Sequence, residues 1–139
     1  MADMTIRFAD PRHKQGSIKL NRFSKQAKPR LRAGIRDSAI ILESQVKDNL
    51  SGPSHTRFPG NGNPFPGVLT GRLRSSVNFV TTDEGLTAMI GPNVVYARIH
   101  EFGGGKIPER PYMKPAMDAK HDQIRRILFK AVTEPLKAK

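Results

Sequence analysis

The sequence predicts a small α+β domain, and three features predict it. Two stretches repeat apolar residues at helical spacing, and between them two short alternating runs flank a polar turn. A glycine- and proline-rich segment, unsuited to either kind of element, follows the first helix. At 139 residues the chain fits one domain, since domains mostly hold about 100–150 residues. The expected division is a basic N-terminal arm over 1–27, a single α+β domain over 28–135 and a short tail over 136–139.

The first helix is expected over residues 28–50. Leu31, Ile35, Ala39, Leu42, Val46 and Leu50 recur in steps of four and three, which puts them on one face. Pro29 suits a first turn, where its missing N–H costs nothing, and Gly52 and Pro53 stand just past the helix end. Ile40 and Ile41 fall off the stripe and predict a second covered face. Residues 51–71 then form a long loop, of the kind that is often functional or disordered. Phe58 and Phe65 within it are costly to leave in water, so each is expected to pack on the domain or on a partner.

Thr70 is placed to cap a short helical turn that holds Leu73 inward. Val77 and Phe79 share one side of a first strand, and Leu86, Ala88 and Ile90 share one side of a second. Turn residues at 82–85 join them as an antiparallel hairpin. "VVYARIHEF" reads as a short helix or as a third strand, and glycines 103–105 end it either way. The last helix is expected over 115–134, with Met117, Ile124, Leu128 and Ala131 on one stripe and Ile127 beside them. Pro115 opens it and Pro135 terminates it.

With no cysteine, the chain excludes a disulfide framework, a thiolate nucleophile and any cysteine-based metal site. No secretory signal opens the sequence, and no apolar run approaches the roughly 18 residues of a membrane span, so a soluble protein is expected, with no membrane partner. The net charge is +12, and residues 1–36 hold +8 of it, ten Lys and Arg against two Asp. Such an arm attracts polyanions or acidic protein surfaces, or it is a solvated tail.

Little in the sequence predicts catalysis. Among His13, His55, His100 and His121, "HEFGG" starts like a two-histidine zinc motif, but Gly104 stands where the second His belongs. Ser75 and Ser76 lack a nucleophile elbow. Glycines 103–105 precede Lys106, yet Ile107-Pro108 cannot continue into the helix that a phosphate loop requires. No enzyme, metal or cofactor is expected; a hydrolase built around His100 and Glu101 is a distant reading. Sequence-independent nucleic-acid binding through the basic arm is the stronger rival, since phosphate contacts need only Lys and Arg.

The order of these stretches resembles a known family. A helix, then "TGRLRSSV", a hairpin, "VYARIHEFGG", and "RPYMKPAM" opening a last helix is similar to the head–tail joining and tail-completion proteins of long-tailed bacteriophages, and to related virion-morphogenesis proteins of Mu-like phages. The likeness covers roughly residues 28 to 135; the basic arm and the 51–68 loop depart from it. It implies a structural subunit without catalysis or cofactor, closing into a ring that joins the DNA-filled head to the tail. The implied partners are copies of itself, head-side connector or portal proteins, and tail terminator or tail tube proteins. The implied location is the neck or tail of the virion, reached from the host cytoplasm.

Ring contacts between unlike faces need shaped edges rather than activated side chains. Glu101 and Phe102 beside three glycines would let a neighbour's backbone approach. Tyr112 and Met113, held between prolines, are expected either as contact anchors or as seals of the domain's own core. Phe58 and Phe65 complete the expected interface. Glu101 would pair with Arg98 or Arg110, or with a base of the neighbour, so Glu101→Lys is expected to block closure and leave the subunit folded. Arg22, Lys25, Lys28, Arg30 and Arg32 would face the DNA channel or an acidic connector surface.

Overall fold

The computed structural model describes residues 14–54 and 62–137, with side chains from Phe23 onward. The fold is α+β. Helix α1 (Lys14–Asn49) is followed by the short α2 (Arg72–Ser76), strand β1 (Val77–Thr82), a single 3-10 turn (Asp83–Gly85), strand β2 (Thr87–Pro92), the short α3 (Ala97–Phe102) and helix α4 (Met113–Lys137).

Helix α1 is the frame. Its 36 residues extend about 54 Å, and both the hairpin and α4 pack on it. Helices α1 and α4 run antiparallel: Asn49 Nδ2 donates to the Tyr112 carbonyl at 3.0 Å, while Gly34 lies against Ala131, Ile127 and Leu128. The core gathers at the C-terminal half of α1, where Leu42, Val46 and Leu50 meet Leu73, Val77, Ala97, Tyr112 and Ala116. The predicted stripe is therefore real from Ala39 to Leu50, and Leu31 and Ile35 are half-buried above it. Of the two off-stripe residues, Ile41 is half-covered, but Ile40 is 48% exposed.

Both helices overrun the prolines expected to bound them. Pro29 lies inside α1, which begins fifteen residues earlier at Lys14, and Pro135 lies inside α4, which continues to Lys137. A proline inside a helix forfeits one backbone bond and costs about 3 kcal/mol in isolation, so tertiary burial has to offset it. Ala27, four residues before Leu31, is 5% exposed, and Pro135 is itself buried. The α1–α4 register brings these two buried residues to the same level. On α4 the inward residue of the first turns is Ala116 at 0% exposure, while Met117 is 46% exposed, so the predicted stripe sits at the edge of the buried face.

The hairpin matches its expected alternation. Strands β1 and β2 pair antiparallel with Val77 opposite Pro92, Phe79 opposite Ile90 and Thr81 opposite Ala88. Val77 and Phe79 face inward, while Asn78 and Val80 face water. A two-stranded sheet is marginal alone; packing on α1 supplies the missing cover. The turn carries strain, with Asp83 and Glu84 at φ 51° and 56°. It is held by Thr87 Oγ1 donating to Asp83 Oδ2 at 2.6 Å and by a 2.9 Å ion pair from Glu84 to Arg32.

The core assignment sets two costs. Leu50→Ala should destabilise by about 2–5 kcal/mol in urea unfolding, and Ile40→Ala by no more than about 0.5 kcal/mol. Equal costs would contradict the packing described.

Candidate functional site

"VVYARIHEF" is a helix, α3, rather than a strand. Past it the chain makes a tight reversal: Gly104 and Ile107 exchange backbone hydrogen bonds at 3.0 and 2.9 Å, and the Arg110 N–H reaches the His100 carbonyl at 2.7 Å. Gly103 makes the corner at φ 75°, ψ 165°, a backbone region closed to other residues, and a Cβ there would meet the Glu109 nitrogen at 3.1 Å. This reversal returns the chain to the start of α4 beside Glu101.

The Glu101 carboxylate then takes the first backbone donors of α4. Oε2 accepts from the Tyr112 and Met113 N–H groups at 2.8 and 3.0 Å, and Oε1 accepts from Lys114 at 3.1 Å. The next position, Pro115, has no N–H. A helix leaves its first four N–H groups without internal partners, and here every one is either bound or absent. The negative charge also sits at the positive end of the helix dipole. Glu101 is therefore a cap supplied from α3, not a partner of Arg98 or Arg110, and Glu101→Lys would remove a contact within the fold as well as alter the surface.

Tyr112, expected in part as a contact anchor, is 1% exposed and belongs to the core, its hydroxyl 3.3 Å from the Ala97 carbonyl. Burial, then the nearby Glu101 charge and Tyr96, push its pKa up to about 12. Met113 and Phe65 are half-buried against the same core, so they too serve the subunit's own interior. Among the described residues of the expected interface, Phe102 alone is largely exposed, at 70%. Phe58 lies outside the described residues, as does the side chain of Arg22. Lys25, Lys28 and Arg30 are exposed on α1, whereas Arg32 is drawn to Glu84.

A groove that sequence reading missed opens beside the clamp. Its cavity, about 600 Å³, lies between the 66–74 segment and the α3 reversal. Arg72 and Arg74 line one wall, and His100, Lys106 and Arg110 the other. His100 stacks edge-on to Tyr96, with centroids 5.9 Å apart, and its pKa is lowered by burial and then by Arg110. No hydrogen bond joins His100 to Glu101, whose carboxylate is turned to the α4 backbone. Among the described residues, no cluster of three or more His, Asp or Glu could hold a metal ion, and no helix is long and apolar enough to cross a membrane.

Over 70 residues the chain is 38% identical to an uncharacterized protein of Methanocaldococcus jannaschii, a match spanning 49% of this chain and 50% of that protein. The chain thus spans about half the length of that curated relative. No family model matches the sequence, and neither does any solved structure.

Removing the cap should unfold, not merely disarm. Glu101→Ala and Glu101→Lys are expected to cost about 2–4 kcal/mol in chemical denaturation, and Glu101→Gln less, since it keeps one acceptor oxygen. Native stability in Glu101→Lys would refute the capping role.

The two shifted groups bound a pH window. His100, lowered in the native state, contributes fully above its ordinary 6.5 and loses that contribution as pH falls below it. Tyr112, raised in the native state, contributes fully below its ordinary 10.0 and loses that contribution as pH rises toward about 12. Thermal unfolding midpoints should therefore fall on both sides of this window, and Tyr112→Phe should flatten the alkaline limb. In Arg110→Ala, NMR titration should move the His100 midpoint upward but short of 6.5, because burial is the larger cause.

Proposed function

We propose that the chain is a structural subunit of a bacteriophage neck or tail-completion region, acting by shape as a ring of identical copies between the DNA-filled head and the tail. The observation that carries this reading is a pair of separate apolar patches at opposite ends of α4. At one end Ile99 and Phe102, one turn apart on α3, stand beside Ile107, at 38%, 70% and 49% exposure. At the other, Phe129 and Leu136 are 70% and 67% exposed on the outer side of α4. Phe129 stands 16 positions after Met113 on the helix, which sets it roughly 24 Å further along the axis.

Exposed apolar patches mark contact surfaces. Two unlike ones on distant parts of a subunit suit head-to-tail contacts, which close into rings when the rotation permits. The resemblance of "TGRLRSSV", "VYARIHEFGG" and "RPYMKPAM" to tail-completion proteins supports the same reading. A clamp that spends its one central carboxylate on backbone fits a scaffold better than it fits an active centre.

The rival is sequence-independent nucleic-acid binding, favoured by the exposed Lys25, Lys28 and Arg30 of α1. A gel shift that falls steeply with salt and is lost in the triple charge reversal of these residues would favour it.

Two experiments test assembly. In sedimentation, Phe102→Asp and Phe129→Asp should each abolish self-association, and their mixture should stop at a single heterodimer, because each supplies one intact patch. Wild-type assembly by either variant would count against the reading. Electron microscopy of lysates from the parent phage with the gene deleted should reveal filled heads and separate tails, or tails of abnormal length; intact infectious particles would sink the structural role.

A further inference from the structure

The groove beside the clamp carries more than the ring does. Arg72, Lys106 and Arg110 reach it from three places in the chain, and none has a carboxylate within ion-pair distance among the described residues. Among the described residues, no Asp or Glu lines the groove. Arg74, the fourth cation, is oriented by its Nε donating to the Lys47 carbonyl at 3.3 Å. Like charges gathered on facing walls repel one another, and no carboxylate among the described residues relieves them.

Between the cations the lining is mainly aliphatic and proline-rich, with Pro66, Val68, Leu69, Ile107 and Pro108, and its two aromatic rings are Tyr96 and His100. One wall is fixed by close backbone packing. The Val68 N–H donates to the Gly52 carbonyl at 2.7 Å, and a Cβ on Gly67 would fall 2.2 Å from the Pro53 carbonyl oxygen. The groove is thus a built cleft and not a chance gap between mobile side chains.

We infer that this groove binds an extended acidic segment of another protein, one carrying Asp or Glu side chains between aliphatic ones. A cleft of about 600 Å³ has room for a short stretch of a single chain rather than for a duplex. Its two aromatic rings, Tyr96 and His100, are packed edge-on against each other rather than set out as successive platforms, which disfavours single-stranded nucleic acid that stacks base after base. Among the described residues, a second copy of this chain offers no free extended acidic run. Asp83 and Glu84 are the only adjacent carboxylates in the sequence, and they are already held by Thr87 and Arg32. Asp118 and Asp122 lie on helix α4 and cannot extend. The groove's own charge and shape support this whether or not copies of the chain form a ring.

The test uses the full chain and a fluorescent peptide of roughly ten residues alternating Glu or Asp with Leu and Pro, beside its Gln/Asn counterpart, since charge pairing governs such docking. The acidic peptide should bind at least about tenfold more tightly than the amide peptide, and more weakly as salt rises. The double variant Arg72→Glu/Arg110→Glu should weaken binding by about tenfold or more, whereas Lys28→Glu/Arg30→Glu on α1 should not. None of these four side chains makes a hydrogen bond or ion pair among the described residues, Arg110 acting only on the His100 titration, and cooperative thermal unfolding verifies that the variants fold. Amide shifts on titration should cluster at His100, Lys106 and residues 68–72. Absent binding, equal affinity for the amide peptide, or equal loss in the α1 variant would overturn the assignment. So would a short single-stranded DNA that displaces the peptide and loses affinity in the same groove variant, which would assign the groove to nucleic acid.

Discussion

Helix α4 begins with backbone donors that its own first turn cannot satisfy, and the carboxylate of Glu101 reaches across from α3 to take them. This single contact joins two elements whose sequence separation is only the length of the Gly103–Arg110 reversal. It fixes where α4 starts, and so where Tyr112 and Ala116 enter the core beneath α1. It also fixes how α3 is presented, which sets the position of Phe102 on one side and His100 on the other. Both surfaces proposed for partners are thus hung on one cap.

The rest of the architecture supplies rigidity around that point. The antiparallel α1–α4 pair is long relative to the core it shares with the hairpin, so most of α4 is covered on one side only. That geometry leaves Phe129 and Leu136 outward at the far end. It also concentrates the fully buried residues at Val46, Leu50, Val77 and Tyr112, close to the clamp. A chain built this way holds its folding core and its α3 edge as one unit while an apolar surface stands apart at the far end of α4.

The elements with a long period were legible in the sequence. The α1 stripe from Ala39 to Leu50 and the alternation through Val77 and Phe79 appear in the fold as the spacing implied. The end of α1 just before Gly52 and Pro53 was legible too, but the start of α1 and the end of α4 were not, because Pro29 and Pro135 carry a local cost that burial of Ala27 and of Pro135 itself outweighs. Helix α3, at six residues, is too short for periodicity to separate it from a strand. The role of Glu101 was hidden for a different reason: its partners are backbone N–H groups 11 to 13 residues away, and backbone donors leave no mark in a sequence. Tyr112 between prolines resembled an exposed anchor, but the reversal at Gly103 folds it inward. The groove's cations come from residues 72–74 and 106–110, and only the fold brings those together.

Amide hydrogen exchange, followed by NMR residue by residue, tests the central claim most directly. First-turn amides of a helix normally exchange quickly, because nothing inside the helix holds them. The Glu101 cap predicts that the Tyr112, Met113 and Lys114 amides are protected to a degree comparable with the helix interior. Rapid exchange at these three amides in an otherwise protected α4 would contradict it, and with it the account of how the α3 edge is held.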